Sequence, residues 1–133
     1  MLRSWGRVNS VNVKKVLWCV GELKLPFERI DAGMEHGVVG TPDYQAMNPN
    51  ARVPTIDDGG FVLWESNTIV RYLSLRYGLG TLCPEDPAQR ADSDRWMDGS
   101  TAHLAGTFRE GFLGMLRTAP EKRDLAFIEK NRL

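Results

Sequence analysis

The sequence contains few cysteines and few histidines, which limits the metal and disulfide chemistry open to it. Its 133 residues include two of each. Cys19 and Cys83 form neither a metal motif nor a disulfide framework. His36 and His103 likewise do not form a zinc-binding motif, so we expect no metal site. Cys19 lies within a helical pattern and is predicted to be a small buried side chain.

An excess of one charge and long apolar runs are also absent. Lysine and arginine together number 17, as do aspartate and glutamate, so the net charge is zero. Without a basic stripe, we expect no nucleic-acid partner. The apolar runs are far shorter than a membrane span, and residues 1–6 lack the apolar segment of a signal peptide. We therefore expect a cytoplasmic protein without a membrane partner, and the apolar content of 42% is sufficient for a packed core.

The first thirty residues predict a strand, a helix and a second strand. Residues 2–5 are predicted to be a short first strand. Apolar residues then recur at i, i+3, i+4 and i+7, which predicts an amphipathic helix over residues 11–23. These are Val13, Val16, Leu17 and Val20. Ser10 precedes this helix as a good N-cap, and alternation over residues 27–30 indicates a half-buried strand.

The next fifty residues predict a helix, a hairpin and another helix. Thr41-Pro42 is a typical helix start, and that helix reaches Met47. Strands at 55–56 and 61–64 flank a glycine-containing turn, which favours an antiparallel hairpin. A helix follows from residue 66 to Tyr77. The resulting β-α-β-α-β-β-α order predicts a mixed α/β fold whose first two strands are parallel and joined by a right-handed crossover.

The last part of the chain is predicted to be all-helical. Residues 78–86 form a linker by composition, a long helix covers 87–116, and a further helical piece covers 119–133. Two helices cannot close a domain around their own apolar faces. We therefore expect residues 87–133 to be part of an incomplete all-α domain.

Two short segments have the chemistry of a ligand site. A cis bond before Pro54 would turn the backbone edge of Val53 toward a peptide-like ligand, although sequence alone does not establish that bond. Glu65 and Ser66 lie at a turn from strand to helix. A helix start offers free N–H groups that suit a carboxylate, and Glu65 can hold an ammonium group. Together these segments predict a site for a zwitterionic amino-acid head with an extended peptide behind it.

Four segments resemble, in order and spacing, the N-terminal domain of the glutathione transferase family, which has a thioredoxin-like fold. They are residues 9–16, 25–28, 47–55 and 63–73. The resemblance covers residues 1–80 and extends weakly over 91–97. It is to the theta-like and bacterial branch, and it implies conjugation of glutathione to small electrophiles by a homodimer, with glutathione as co-substrate and no metal.

The resemblance also implies roles for individual residues. Ser10 matches the serine that stabilises the glutathione thiolate, and Asn12 is an alternative donor; Ser10 as a plain N-cap also stays open. Glu65 and Ser66 match the residues that bind the γ-glutamyl head. The backbone of Val53, before Pro54, would pair with the cysteinyl part.

The resemblance leaves other polar residues with weaker assignments. Arg52 is either a partner of the glycine carboxylate or a solvated charge. His36 is predicted mainly as a loop residue, and Lys15 as a surface residue. Trp18 is predicted to pack, and Trp96 and Asp98 are expected to serve packing or the surface.

The sequence departs from the family pattern because most of the helical domain that lines the electrophile site is missing. The loop at residues 31–40 also lacks an obvious contact to the far end of the tripeptide. Three alternatives to conjugation therefore remain open at this point. They are a glutathione-dependent disulfide reductase, a non-catalytic glutathione-binding or protein-interaction module, and a truncated remnant.

Overall fold

The computed structural model describes residues 1–116 and 118–130. It divides into two compact units, Met1–Asp86 and Pro87–Leu133. Among the described residues, no helix is both long enough and apolar enough to cross a membrane.

The first unit is built on a four-stranded mixed sheet. Its strands are β1 (Leu2–Trp5), β2 (Phe27–Ile30), β3 (Thr55–Asp58) and β4 (Phe61–Trp64). Their order across the sheet is β2-β1-β3-β4. The β1–β2 pair is parallel, while β1–β3 and β3–β4 are antiparallel. The predicted α/β class, with a parallel first pair and an antiparallel hairpin, is confirmed.

Three helices cover this sheet, and alternation along β1 sends its side chains to two separate cores. The helices are α1 (Val11–Glu22), α2 (Pro42–Met47) and α3 (Ser66–Tyr77). Leu2 belongs to a core with buried residues of α1, β3 and α3. Trp5 belongs to a second core with Ala32 and with Tyr44 of α2. The sheet is therefore covered on both faces, as in a thioredoxin-like domain.

The predicted helix α1 forms because its apolar stripe is buried and its first turn is capped. Val13 and Val16 are fully buried, and the Ser10 hydroxyl accepts a hydrogen bond from the Val13 amide. Cys19 is buried, as predicted. Trp18 is instead 73% exposed, and its indole N–H bonds Glu22 on the same helix. The packing role predicted for Trp18 is therefore wrong within this chain.

The β3–β4 hairpin closes through two glycines in left-handed conformations. Gly59 has φ +63° and Gly60 has φ +99°, as a tight two-residue turn that matches strand twist requires. The Asp57 carboxylate accepts a 2.6 Å hydrogen bond from the Gly60 amide. Because the turn needs only these two residues, β3 continues to Asp58, two residues further than predicted.

The second unit is helical. It contains α4 (Pro87–Gly99), α5 (Ala105–Leu116) and α6 (Leu125–Lys130), with a 3₁₀ turn at Pro120–Lys122. A π-helical segment, Ser100–Leu104, joins α4 to α5 within the predicted long helix. Such a segment usually occurs as a single turn inside an α-helix, and the chain stays helical through it. The helical piece predicted over residues 119–133 corresponds to the 3₁₀ turn and α6, and residues 131–133 lie outside the described part.

Candidate functional site

A pocket of about 130 Å³ in the first unit brings together six of the seven predicted site residues. Its lining comprises Asn12, Asn48, Asn50, Arg52, Val53, Pro54, Glu65 and Ser66. Ser10 does not belong to this lining. The pocket therefore joins three segments that are far apart in the chain: the start of α1, the loop after α2 and the start of α3.

The segment before β3 presents unused backbone groups to the pocket. The peptide bond between Val53 and Pro54 is cis. Within the described part of the chain, no hydrogen bond uses the amide or the carbonyl of Val53. A half-buried residue with a free donor and a free acceptor can bind an extended peptide as an added strand does.

A buried polar network beneath the pocket holds this segment in place. The Asn48 side-chain amide donates to the Arg52 carbonyl at 2.9 Å and to Thr55 Oγ1 at 3.0 Å. The Tyr44 hydroxyl donates to the same Arg52 carbonyl at 2.7 Å. Since its proton is then used, Tyr44 accepts from the Thr55 hydroxyl, 2.8 Å away. Every polar side-chain group of the network thus has a partner, which rigidifies the loop.

The start of α3 forms the opposite wall. Glu65 is the N-cap residue, with φ +71°, and its side chain makes no capping bond. A non-glycine residue with positive φ is uncommon, and such conformations cluster at functional sites. Ser66 is buried, with 6% of its surface exposed. The wall thus offers an exposed carboxylate, a hydroxyl and the N–H groups of a helix start in one place, a set that can hold a paired ammonium and carboxylate.

Lys15 stands beside this wall and is not the surface residue predicted. Its ammonium group donates a 2.8 Å hydrogen bond to Asn67 Oδ1, in the first turn of α3. Partial burial lowers the pKa of Lys15, and the Glu65 carboxylate opposes that shift. Periodicity placed Lys15 off the apolar stripe of α1, but the packing of α1 against α3 covers its stem.

The two predicted thiolate donors occupy different positions at the start of α1. The Ser10 side chain is 8% exposed, and its oxygen caps the helix at 3.5 Å from the Val13 amide. A hydroxyl that accepts a capping bond still has its proton to donate. Asn12 is exposed and lines the pocket. Both groups sit at a helix N-terminus, where an anion is favoured.

The remaining predicted residues lie at the periphery or elsewhere. Arg52 lines the pocket with an exposed side chain. His36 ends a 3₁₀ turn, and its Nε2 lies 3.5 Å from Glu35 and 3.8 Å from Asp31. It is absent from the pocket lining. Trp96, on α4 of the second unit, is 72% exposed.

From the sequence, no functional role was assigned to Asn48, Asn50 or Lys15. Asn48 stood in the 47–55 segment, but its burial depends on the contact between α2 and β3. The one sequence feature that could have pointed to Asn48 is its position at a helix end, directly before Pro49. In the described part of the chain, no cluster of three or more His, Cys, Asp or Glu side chains could hold a metal ion.

Comparison with known proteins gives consistent matches. The model of the family "Glutathione S-transferase, N-terminal domain" matches residues 1–74. The Escherichia coli K12 glutathione S-transferase GstB is 47% identical over 131 residues, which are 97% of this chain and 63% of that protein. Glutathione S-transferase 3 of Zea mays is 32% identical over 104 residues, 77% of this chain and 47% of its own length.

Solved structures agree with these matches. The theta class glutathione S-transferase of Xanthomonas axonopodis pv. citri, with glutathione bound, superposes with a TM-score of 0.92 at 48% identity. The match covers 98% of this chain and 62% of that one. Glutathione transferase F2 of Populus trichocarpa gives a TM-score of 0.82 at 27% identity, over 98% of this chain and 63% of that one. The chain therefore spans less than two thirds of the length of these relatives. The family match over residues 1–74 shows that it belongs to the glutathione S-transferase family.

Proposed function

We propose that this chain binds glutathione and conjugates its thiolate to small electrophiles. The observation that carries the proposal is the pocket that joins the free backbone groups of Val53 to the Glu65–Ser66 helix start. An extended peptide with a zwitterionic head and a thiol between its ends matches those walls. The similar Xanthomonas structure, which has glutathione bound, supports the same assignment.

The γ-glutamyl head binds at the start of α3 in this proposal. Its ammonium group pairs with the exposed Glu65 carboxylate. Its carboxylate accepts hydrogen bonds from the Ser66 hydroxyl and from the helix start, where the dipole favours an anion. Both charges of the head are thereby satisfied by opposite or polar partners, which offsets the loss of water.

The rest of the tripeptide runs along the segment that contains Val53 and Pro54. The cysteinyl amide and carbonyl pair with the two unused backbone groups of Val53. Arg52, one residue earlier and exposed at the pocket edge, pairs with the glycine carboxylate. An exposed pair of this kind contributes up to about 1 kcal/mol.

The thiol is activated at the start of α1. A free thiol with a pKa near 8.5 is mostly protonated at neutral pH, so the chemistry requires stabilisation of the anion. A hydrogen bond donated to the thiolate lowers the pKa because it favours the charged form. The Ser10 hydroxyl and the Asn12 amide are the two donors in our proposal, assisted by the N-terminal end of the helix.

We further propose that residues 1–80 form the glutathione-binding domain and residues 87–133 part of the helical domain that contacts the electrophile. The division of the chain after Asp86 supports this boundary. Membership in the family supports a homodimer that works in the cytoplasm in detoxification.

Calorimetric titration of the 133-residue chain with reduced glutathione tests the binding step. We expect saturable binding, about tenfold weaker in Ser66→Ala, since a hydrogen bond to a charged group contributes roughly 1.5–3 kcal/mol. Ser93→Ala is the matched control, because Ser93 is exposed and its hydroxyl donates to the Gln89 carbonyl of its own helix. No binding, or equal binding by both variants, would contradict the assignment of the head.

Conjugation of a chloronitroarene tests the catalytic step. Ser10→Ala and Asn12→Ala, measured over a range of pH, should raise the pKa of bound glutathione if their side chains donate to the thiolate. If neither variant changes the rate or the pH profile, both donor assignments fail. Binding without turnover would favour a glutathione-binding module.

A further inference from the structure

Lys15 has no part in the proposed binding mode, yet it is connected to the pocket wall. It lies one helical turn after Asn12, which lines the pocket, and residues three apart share a helix face. Its ammonium group reaches across to α3 and donates to Asn67 Oδ1 at 2.8 Å. Lys14, the preceding residue, is exposed, so the chain contains a closely matched lysine without this contact.

The partner of Lys15 belongs to the turn that builds the head subsite. Asn67 directly follows Glu65 and Ser66, both of which line the pocket. Glu65 has a left-handed backbone and no capping side-chain bond of its own, so its conformation depends on what surrounds it. A hydrogen bond from a neighbouring helix restrains the first turn of α3 where these residues present their functional groups.

The charge of Lys15 also fits this position. The Glu65 carboxylate favours the charged form of the lysine, which opposes the effect of burial on its pKa. A partly buried ammonium group needs hydrogen-bond acceptors or a nearby anion. Lys15 has both: Asn67, directly after Ser66, is the acceptor, and Glu65, directly before Ser66, is the anion. Its position thus links α1 to the two residues that flank Ser66.

We infer that Lys15 is a positioning residue for the subsite that binds the γ-glutamyl head, and that it acts through Asn67 and Glu65. The inference rests on the proposed function. Loss of Lys15 should loosen the start of α3, so that the ligand must order Glu65 and Ser66 when it binds. The loss should appear as weaker binding of any ligand that contains the head, whereas the stability of the chain should hardly change.

Calorimetry with four variants and two ligands tests this inference. The variants are Lys15→Met, Lys15→Gln, Lys15→Arg and Lys14→Met. The ligands are glutathione and γ-glutamylcysteine, which keeps the head and lacks the glycine. We expect Lys15→Met to raise the Kd of both ligands about fivefold, Lys15→Gln to raise it less, and Lys15→Arg to stay within about twofold of the unsubstituted chain. Lys14→Met should bind both ligands normally.

Thermal unfolding separates positioning from a general loss of structure. We expect the midpoint of Lys15→Met to match that of Lys14→Met. If Lys15→Met does not fold, the Kd values of Lys15→Gln and Lys15→Arg are compared instead, and equal Kd values for these two variants overturn the inference. Unchanged binding by Lys15→Met, or a loss confined to glutathione, overturns the inference and leaves the proposed function standing. No binding of either ligand by the unsubstituted chain overturns both.

Discussion

The side-chain amide of Asn48 lies 2.9 Å from the carbonyl oxygen of Arg52 and holds the pocket loop against the end of α2. The two residues are four apart in the sequence, and the loop between them includes Pro49. Asn48 is 3% exposed. One buried carboxamide therefore fixes the backbone directly before Val53, the residue that we expect to pair with the ligand.

Asn48→Ala should lower both stability and affinity. The substitution removes two donated hydrogen bonds and leaves buried oxygens with fewer partners, which costs about 1–3 kcal/mol of unfolding free energy. We expect weaker glutathione binding as well, because the Val53 segment loses a restraint. Denaturant unfolding and calorimetry measure the two effects. Gln45→Ala, an exposed amide on α2, is the control and should change stability by less than about 0.5 kcal/mol.

Ala51→Gly should be neutral or stabilising. Ala51 has φ +50°, and the left-handed region costs a non-glycine residue about 1–2 kcal/mol. Glycine removes that cost but loses about 0.5–1 kcal/mol through its greater freedom in the unfolded chain. Ala46→Gly makes the same change within α2 and should destabilise by about 1 kcal/mol. Thermal midpoints that fall equally in both variants would contradict this account.

Ser4→Ala should not destabilise the protein. Ser4 Oγ is buried and, among the described residues, is the buried side-chain polar atom without a hydrogen-bond partner. Removing an unsatisfied hydroxyl recovers about 1 kcal/mol or more of desolvation cost. Thr55→Val removes a buried hydroxyl that is bonded to Tyr44 and Asn48. It should therefore lower the free energy of unfolding, and denaturant titration of both variants distinguishes the two cases.

The thiol of Cys19 should be unreactive in the native protein. Burial raises its pKa from 9.0 to about 11, so little thiolate forms near pH 8. We expect iodoacetamide to modify Cys19 at pH 8 only when urea unfolds the chain, as measured by mass spectrometry of the Cys19 peptide. Rapid modification of the folded protein would contradict the burial.

The same shift predicts a pH dependence of stability. Because the folded pKa is above the unfolded value, the stabilisation is complete below pH 9 and is lost as the pH rises toward 11. The difference in unfolding free energy between the unsubstituted chain and Cys19→Ala should therefore shrink between pH 8 and pH 10. A constant difference over that range would indicate that Cys19 does not titrate differently in the two states.

The order of elements in the first unit could be predicted because local signals agree with one another there. The apolar stripe of residues 11–23, the Thr41-Pro42 start and the Gly59-Gly60 turn each specify one local conformation. The parallel first pair follows from the strand-helix-strand order at the start of the chain. Ser100–Leu104 shows the limit, since the chain stays helical through this π-helical segment and the prediction of one long helix did not separate it from α4 and α5.

The candidate site was predictable only where residue type and position carried the chemistry. Glu65 and Ser66 at a helix start, and Val53 before Pro54, could be selected from sequence because a helix start suits a carboxylate and because both segments match the N-terminal domain of the family. Asn48 and Lys15 carried no comparable signal. An asparagine near a proline and a lysine off an apolar stripe are ordinary surface residues until two distant segments pack over them.

The sequence by itself determined the order of helices and strands in the first unit, the hairpin turn and the residue types that could bind a zwitterionic peptide, because the signals for these lie within a few positions of one another. Only the tertiary structure decided which side chains became buried partners. Packing of α1 against α3 brings Lys15 to Asn67, 52 positions away, and contact between α2 and β3 encloses Asn48. Such contacts depend on the spatial arrangement of whole elements, and no periodicity within one element encodes that arrangement.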